Sequence, residues 1–349
     1  MTSGSLRLDH GNALGRSTFA GGAGGFGFGN AVTSATFGGL AGSTNLALSN
    51  TGGSAVALTV GANNASTTYS GVLSGNGGAV TKVGTGTFTL GSANTYTGNT
   101  TITAGVLKLG ASGAFDSSPT VVVGDAGSSG VVLDLIDKGA SFSFGSSQTL
   151  KGKGTIRGRS NPGGLALTVS GTLSPGNSPD TLSFDNTALT LGSTSYTLME
   201  ITGTGYDIVS ISGAALDGTT ALTYGGTMVI DFGAFKAADF ATFNLFQVFN
   251  GTIGSGSFST IVATGSFYSG TFSSGTGFGQ YVLQGTGQSL QFTQSVSDGG
   301  VTYGQLIVVP EPLMLSLLGI AAGVGTMAIR RARRRRTAAA EAGDFPTAG

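Results

Sequence analysis

Three places in this 349-residue chain bring together residue types that can do chemistry. In VVLDLIDKG, Asp134, Asp137 and Lys138 set two carboxylates and an amine close together. Paired carboxylates about 5–10 Å apart serve glycoside hydrolysis as acid and as base or nucleophile. Asp134 and Asp137 differ by three positions, however, so on a strand they face opposite sides. The run Gly22-Ala23-Gly24-Gly25-Phe26-Gly27 has the G-x-G-x-x-G spacing that cradles phosphates, but that motif needs a strand before it and a helix after it. Neither is expected here, and a chain with 64 glycines produces the pattern by density alone. His10 is the only histidine, which disfavours a Ser-His-Asp triad or a His-based metal site. There is no cysteine, hence no thiolate chemistry and no disulfide. No catalytic residue, metal or cofactor is assigned. Asn94, Asn99 and Asn177 read as turn residues bonding their own backbone.

The C-terminal stretch VVPEPLMLSLLGIAAGVGTMAIRRARRRR is more informative. Leu313 to Ile329 is 17 residues without a charge, about 25 Å as a helix against a ~30 Å hydrocarbon core. Val308 and Val309 before it and a snorkelling Arg330 after it make up the difference. We expect a membrane-spanning helix over 313–329 rather than a buried core helix. Arg330, Arg331, Arg333, Arg334, Arg335 and Arg336 follow at once, and clustered arginines beside a span stay cytoplasmic. The C-terminus is thus expected inside and the body outside. Gly319 and Gly323 form a small-xxx-small pair that either brings two helices together or reflects glycine density. Pro310-Glu311-Pro312, placed just before the span, resists helix and sheet pairing and reads as an extended, exposed segment suited to processing.

An outside body needs an export signal. Arg7, Asp9, His10 and Arg16 interrupt every apolar run near Met1, so no signal peptide is recognised, and a longer natural N-terminus is expected. Up to Val308 there are ten Lys and Arg against thirteen Asp and Glu, about −3. This mildly acidic body shows no basic face for nucleic acid.

The elements that would position these groups are strands. In GTGTFTLGSANTYTGNTTITAGVLKLG (84–110), Phe88 and Leu90 alternate with Thr87 and Thr89, and Leu107 and Leu109 with Val106 and Lys108. Such alternation gives strands with one buried face and one Thr-rich outer face. Related segments recur at 152–158 and 170–176, and short strands repeating every ~20 residues suit the coils of a solenoid. The expectation is an all-β chain. A right-handed parallel β-helix would occupy 1–190, with a β-sandwich as the rival, and an aromatic-rich β unit over 191–305 would cap it. The helix-like FKAADFATFNLF is assigned to strand on its Thr and Phe content.

Val309-Pro310-Glu311-Pro312, a single span and an arginine cluster together resemble the PEP-CTERM sorting signal of Gram-negative bacteria, here 308–336. Leu313 stands where such proteins usually carry Ser or Thr, and residues 337–349 extend past the arginines as a short cytoplasmic tail. TKVGTGTFTLGSANTYTGNTTITAGVLKLG (81–110) is similar to the autotransporter-associated β-strand repeat, and 171–184 resembles the segment that often follows it. The resemblance implies export, an inner-membrane anchor and cutting by the membrane-embedded sorting enzyme exosortase. It also implies release to the cell surface or matrix, where extracellular polysaccharide is a candidate partner. With no barrel after the repeats, the chain is not expected to translocate itself. The leading expectation is a non-enzymatic surface or matrix protein. The alternatives are a carbohydrate-active β-helix enzyme with the same tail and a permanently anchored surface adhesin.

Overall fold

A computed structural model describes residues 5–21, 24–176, 179–275, 279–284 and 288–310. Its described part is a β-solenoid of about nine turns. One face stacks Ala57–Val60, Ala79–Lys82, Thr100–Ile102, Thr120–Val123 and onward through Thr227–Asp231 to Thr260–Thr264, all parallel. A second face stacks Thr67–Tyr69, Thr87–Leu90 and Val106–Leu109 through to Thr242–Val248. A third begins at Ser141–Phe144 and ends at Thr252–Ile253. Parallel pairing through successive coils excludes the sandwich.

The alternation works as the strand period requires. Leu58, Val80, Thr100, Val121 and Leu150 lie in one inward register row, and every one of them is buried. Each buried Leu or Val contributes about 1.5–3 kcal/mol of transfer free energy. Thr100 is the polar member of the row, and its hydroxyl meets those of Tyr96 at 2.6 Å and Ser118 at 3.0 Å. Outward, Thr36, Thr59, Thr81 and Thr101 stand in register and form one hydroxyl-bearing row along the face.

The coil period is 22 residues at Leu58–Val80 and 20 at Val80–Thr100, but 33 at Met228–Ile261. The texture change near residue 190 therefore does not end the coils. Parallel pairing runs through Leu182–Val209 to Asp231–Thr264. Of the aromatic residues expected to build a separate unit, those of 228–252 fill wider three-sided coils, where Phe246 packs edge-on to Tyr224 with centroids 5.1 Å apart. Tyr281 and Phe292 instead stand opposite each other in the antiparallel strands that cap the end. FKAADFATFNLF divides into turns followed by the strand Thr242–Val248.

Antiparallel strands begin only at Gly270–Thr271, which pairs with Thr260–Thr264. Val301–Pro310 pairs with Thr242–Val248, and Gln288–Asp298 pairs with Val301–Pro310. The last strands of the first and second faces are thereby covered, which removes a template for aggregation at those two edges.

Among the described residues no helix is long and apolar enough to cross a membrane. The run 313–329, Glu311, Pro312 and Arg330, Arg331, Arg333, Arg334, Arg335 and Arg336 lie outside the described residues, as do Gly319 and Gly323.

Candidate functional site

A groove of about 350 Å³ opens on the outer side of the first face, lined by Lys151, Ser174, Leu198, Glu200, Asp207, Val229, Asp231 and Thr264 among others. Register builds it. Lys151 stands opposite Ser174, Leu198 opposite Val229 and Glu200 opposite Asp231, and Asp231 stands opposite Thr264 on the next coil. All are outward positions of their strands. Leu198 is 40% exposed and Tyr196, two positions away on the same face, is 54% exposed.

Asp207 is the buried acid of the groove. Its Oδ1 accepts the Asp180 N–H at 3.2 Å and its Oδ2 accepts the Glu200 N–H at 2.9 Å. Burial pushes its carboxyl up to about 6. The Glu200 and Asp180 carboxylates push the same way, and the two backbone donors oppose the shift. Asp231 Oδ1 accepts from the Thr264 hydroxyl at 3.0 Å and from the Gly233 N–H at 2.9 Å. Lys153 pairs with Asp180 at 3.0 Å at the margin. The groove joins an apolar wall, carboxylates and an ammonium, a set able to hold a polyhydroxylated ligand. Asp207 spends both oxygens on backbone donors, so it ties the end of the strand Tyr196–Glu200 to the segment just before Thr181. No group of three or more His, Cys, Asp or Glu able to hold a metal ion occurs among the described residues.

The candidates from sequence fall elsewhere. The strand carrying Asp134 ends at that residue, and Ile136–Lys138 is a 3-10 turn, so the strand-facing argument for Asp134 and Asp137 does not apply. Asp134 pairs with Arg157 at 2.6 Å, Asp137 with Lys108 at 2.9 Å, and Lys138 donates to the Ala111 and Gly113 carbonyls. Each charge is committed to a different partner. His10 is exposed in a turn. The strand Leu14–Gly21 does precede the glycine run, contrary to expectation, but the strand Gly25–Phe28 ends it, so no helix N-terminus is available to bind phosphate. Val309 and Pro310 do not form an exposed linker. They close the last strand opposite Ser289 and Gln288, and Pro310 is buried there, at a strand end that tolerates proline.

Asn94 does bond its local backbone, donating to the Ser92 carbonyl at 2.9 Å. It also accepts from the Leu73 N–H at 2.9 Å and donates to the Ala114 carbonyl at 2.9 Å, bracing the coils on either side. Asn99 is exposed and Asn177 lies outside the described residues.

Sequence reasoning also missed Lys82. It sits inward between Val60 and Ile102, and its Nζ donates to the carbonyls of Val83 (2.7 Å), Gly84 (2.7 Å) and Ala104 (3.2 Å). The available signal was a charge at an inward position of the alternating segment AVTK.

Lys82 lies in a segment with known counterparts. Residues 80–109 match the passenger-associated-transport-repeat family. A 112-residue stretch, 32% of the chain, is 38% identical to the adhesin BmaC autotransporter of Brucella suis biovar 1 (strain 1330). The chain spans 3% of that relative's length. Solenoid and repeat together define an autotransporter-passenger-like β-helix repeat protein.

Proposed function

We propose that this chain is an exported, non-enzymatic surface protein whose solenoid is displayed outside the cell as an adhesive or matrix element. The observation that carries this reading is the continuous parallel stack built on a passenger-associated transport repeat. Support comes from the hydroxyl-rich outer rows and from the relative, which is an adhesin. We read the coil as right-handed, the hand favoured for parallel crossovers.

In this reading 313–329 is the membrane anchor and Arg330, Arg331, Arg333, Arg334, Arg335 and Arg336 hold the tail in the cytoplasm. Glu311 and Pro312 follow the last strand as the site for an exosortase-type enzyme, and Val309 and Pro310 must leave their pairing with Ser289 and Gln288 to be read with them. The groove beside Tyr196 and Leu198 is the place for extracellular polysaccharide. The test is display behind a supplied signal peptide in an exosortase-bearing Gram-negative host. Protease added to intact cells then removes the body, and the cells gain adherence to a polysaccharide-coated surface. A body protected from protease contradicts the reading.

The convergence of Lys151, Glu200, Asp207 and Asp231 in one groove favours a second reading, a carbohydrate-active β-solenoid enzyme. Release of reducing sugar from polysaccharide, abolished by Glu200→Gln or Asp231→Asn, would select it.

A further inference from the structure

We propose that the Pro310 end of the antiparallel cap rests on the membrane surface, with the rings of Phe240 and Phe267 in the lipid headgroup layer. This rests on the reading of 313–329 as the anchor. Both rings are 55% exposed, an unusual position for phenylalanine.

Named contacts bring them to one end of the cap. The Phe240 N–H donates to the Val308 carbonyl at 2.8 Å. Gln288 stands opposite Pro310 in the last antiparallel pair. Its Oε1 accepts the Tyr268 hydroxyl at 2.6 Å, and its Nε2 donates to the Ala237 carbonyl at 3.2 Å and to Asp239. The segments 237–240 and 267–268 thus flank the point where the chain leaves the cap. Lys236 Nζ lies 5.9 Å from the Phe267 ring centroid. Phe240 has φ +63°, a left-handed backbone that bulky side chains rarely adopt, yet its ring is not packed inward.

Chain length identifies the occupant. Only Glu311 and Pro312 separate Pro310 from Leu313. At no more than 3.6 Å per residue, Leu313 lies within roughly 11 Å of Pro310. Each headgroup layer is about 5–7 Å thick. A helix entering hydrocarbon at Leu313 therefore holds the Pro310 end of the cap in, or a few Å above, that layer. Aromatic rings are the side chains enriched at this level, and Lys236 can keep its ammonium in water while its stem lies along Phe267.

The chain contains no tryptophan, so single-Trp variants of the full protein report position directly. Phe240→Trp, Phe267→Trp and, as control, Phe249→Trp would be reconstituted into phosphatidylcholine vesicles with and without brominated acyl chains. Phe249 is 46% exposed but sits at the opposite end of the last coil, next to Val248, which faces Thr302. The proposal expects co-flotation of all three variants. Brominated lipid should remove more than half of the emission at 240 and 267, with blue-shifted spectra, and leave 249 unchanged. Co-flotation with all three equally unquenched overturns the membrane seat and leaves the anchor reading intact. Failure to float overturns both. Protection at 240 and 267 that appears only when host membrane proteins are added overturns the lipid seat in favour of a protein partner.

Discussion

Lys82 stands in register with Ile102 inside the coil, and its ammonium donates to the Ala104 carbonyl one coil further on. A buried charge at a core position survives because three carbonyls replace its hydration. Lys82→Met keeps the volume but strands those acceptors at the corner. We expect a loss of about 2 kcal/mol, read as a lower urea midpoint at unchanged slope. An equal or higher midpoint would mean that the cage is dispensable.

The same lysine gives a pH signature. Burial lowers its pKa from 10.5 to about 8, so between these values the unfolded chain holds more protons than the folded one. Stability from this group rises as pH rises through that window. Denaturant midpoints at pH 7.5 and 10 should show the rise in wild type and lose it in Lys82→Met.

Asp207 predicts a slope of the opposite sign. Its folded pKa of about 6 lies above the ordinary 3.8, so the folded state binds the extra proton. Stability from this group is greatest below pH 4 and falls as pH rises towards 6. Asp207→Asn should flatten that segment of the profile. It should also weaken the fold at pH 7, because Asn keeps a single acceptor oxygen and its NH2 must face one of the two N–H donors, that of Asp180 or that of Glu200. An unchanged slope would refute the assignment.

The outer row of the second face alternates in charge: Lys108, Asp134, Arg157, Asp185. The Asp134 side chain is 6% exposed and that of Arg157 38%. Removing the arginine strands a buried carboxylate, whereas removing the aspartate leaves an arginine that still reaches water and faces Asp185. Arg157→Met should therefore cost about 2–4 kcal/mol and Asp134→Ala clearly less, in thermal or chemical unfolding. Equal losses would contradict this.

At one corner Gly61, Gly84 and Gly105 all have positive φ. A Cβ on Gly105 would lie 2.5 Å from the Gly84 carbonyl oxygen, and one on Gly84 would lie 2.1 Å from that of Gly61. Gly105→Ala should cost more than about 1 kcal/mol and lower the unfolding midpoint. A neutral outcome would mean that the coils can shift apart at that corner.

The strands were legible because the outward Thr and inward Leu and Phe of TFTL follow a period of two that survives any coil length. The first coils were legible as a repeat because they keep 20–22 residues. Later coils hide the same architecture behind longer loops and a third strand, so the aromatics at 228–252 looked like a new unit. The groove was not legible at all. Glu200 and Asp231 are 31 positions apart and meet only through register, which no local pattern carries. Asp134 and Asp137 looked like a pair because they are close in sequence, yet register gave each a different cation.

The central claim is an exported solenoid released by cutting at its C-terminal signal. Its most direct test is the intact mass of the mature protein, produced behind a supplied signal peptide in an exosortase-bearing host. Wild type would be compared with a variant carrying Pro310→Ala, Glu311→Ala and Pro312→Ala. The account predicts that wild type alone loses the apolar run and the arginines. An intact C-terminus in both proteins would contradict it and leave a permanently anchored surface protein.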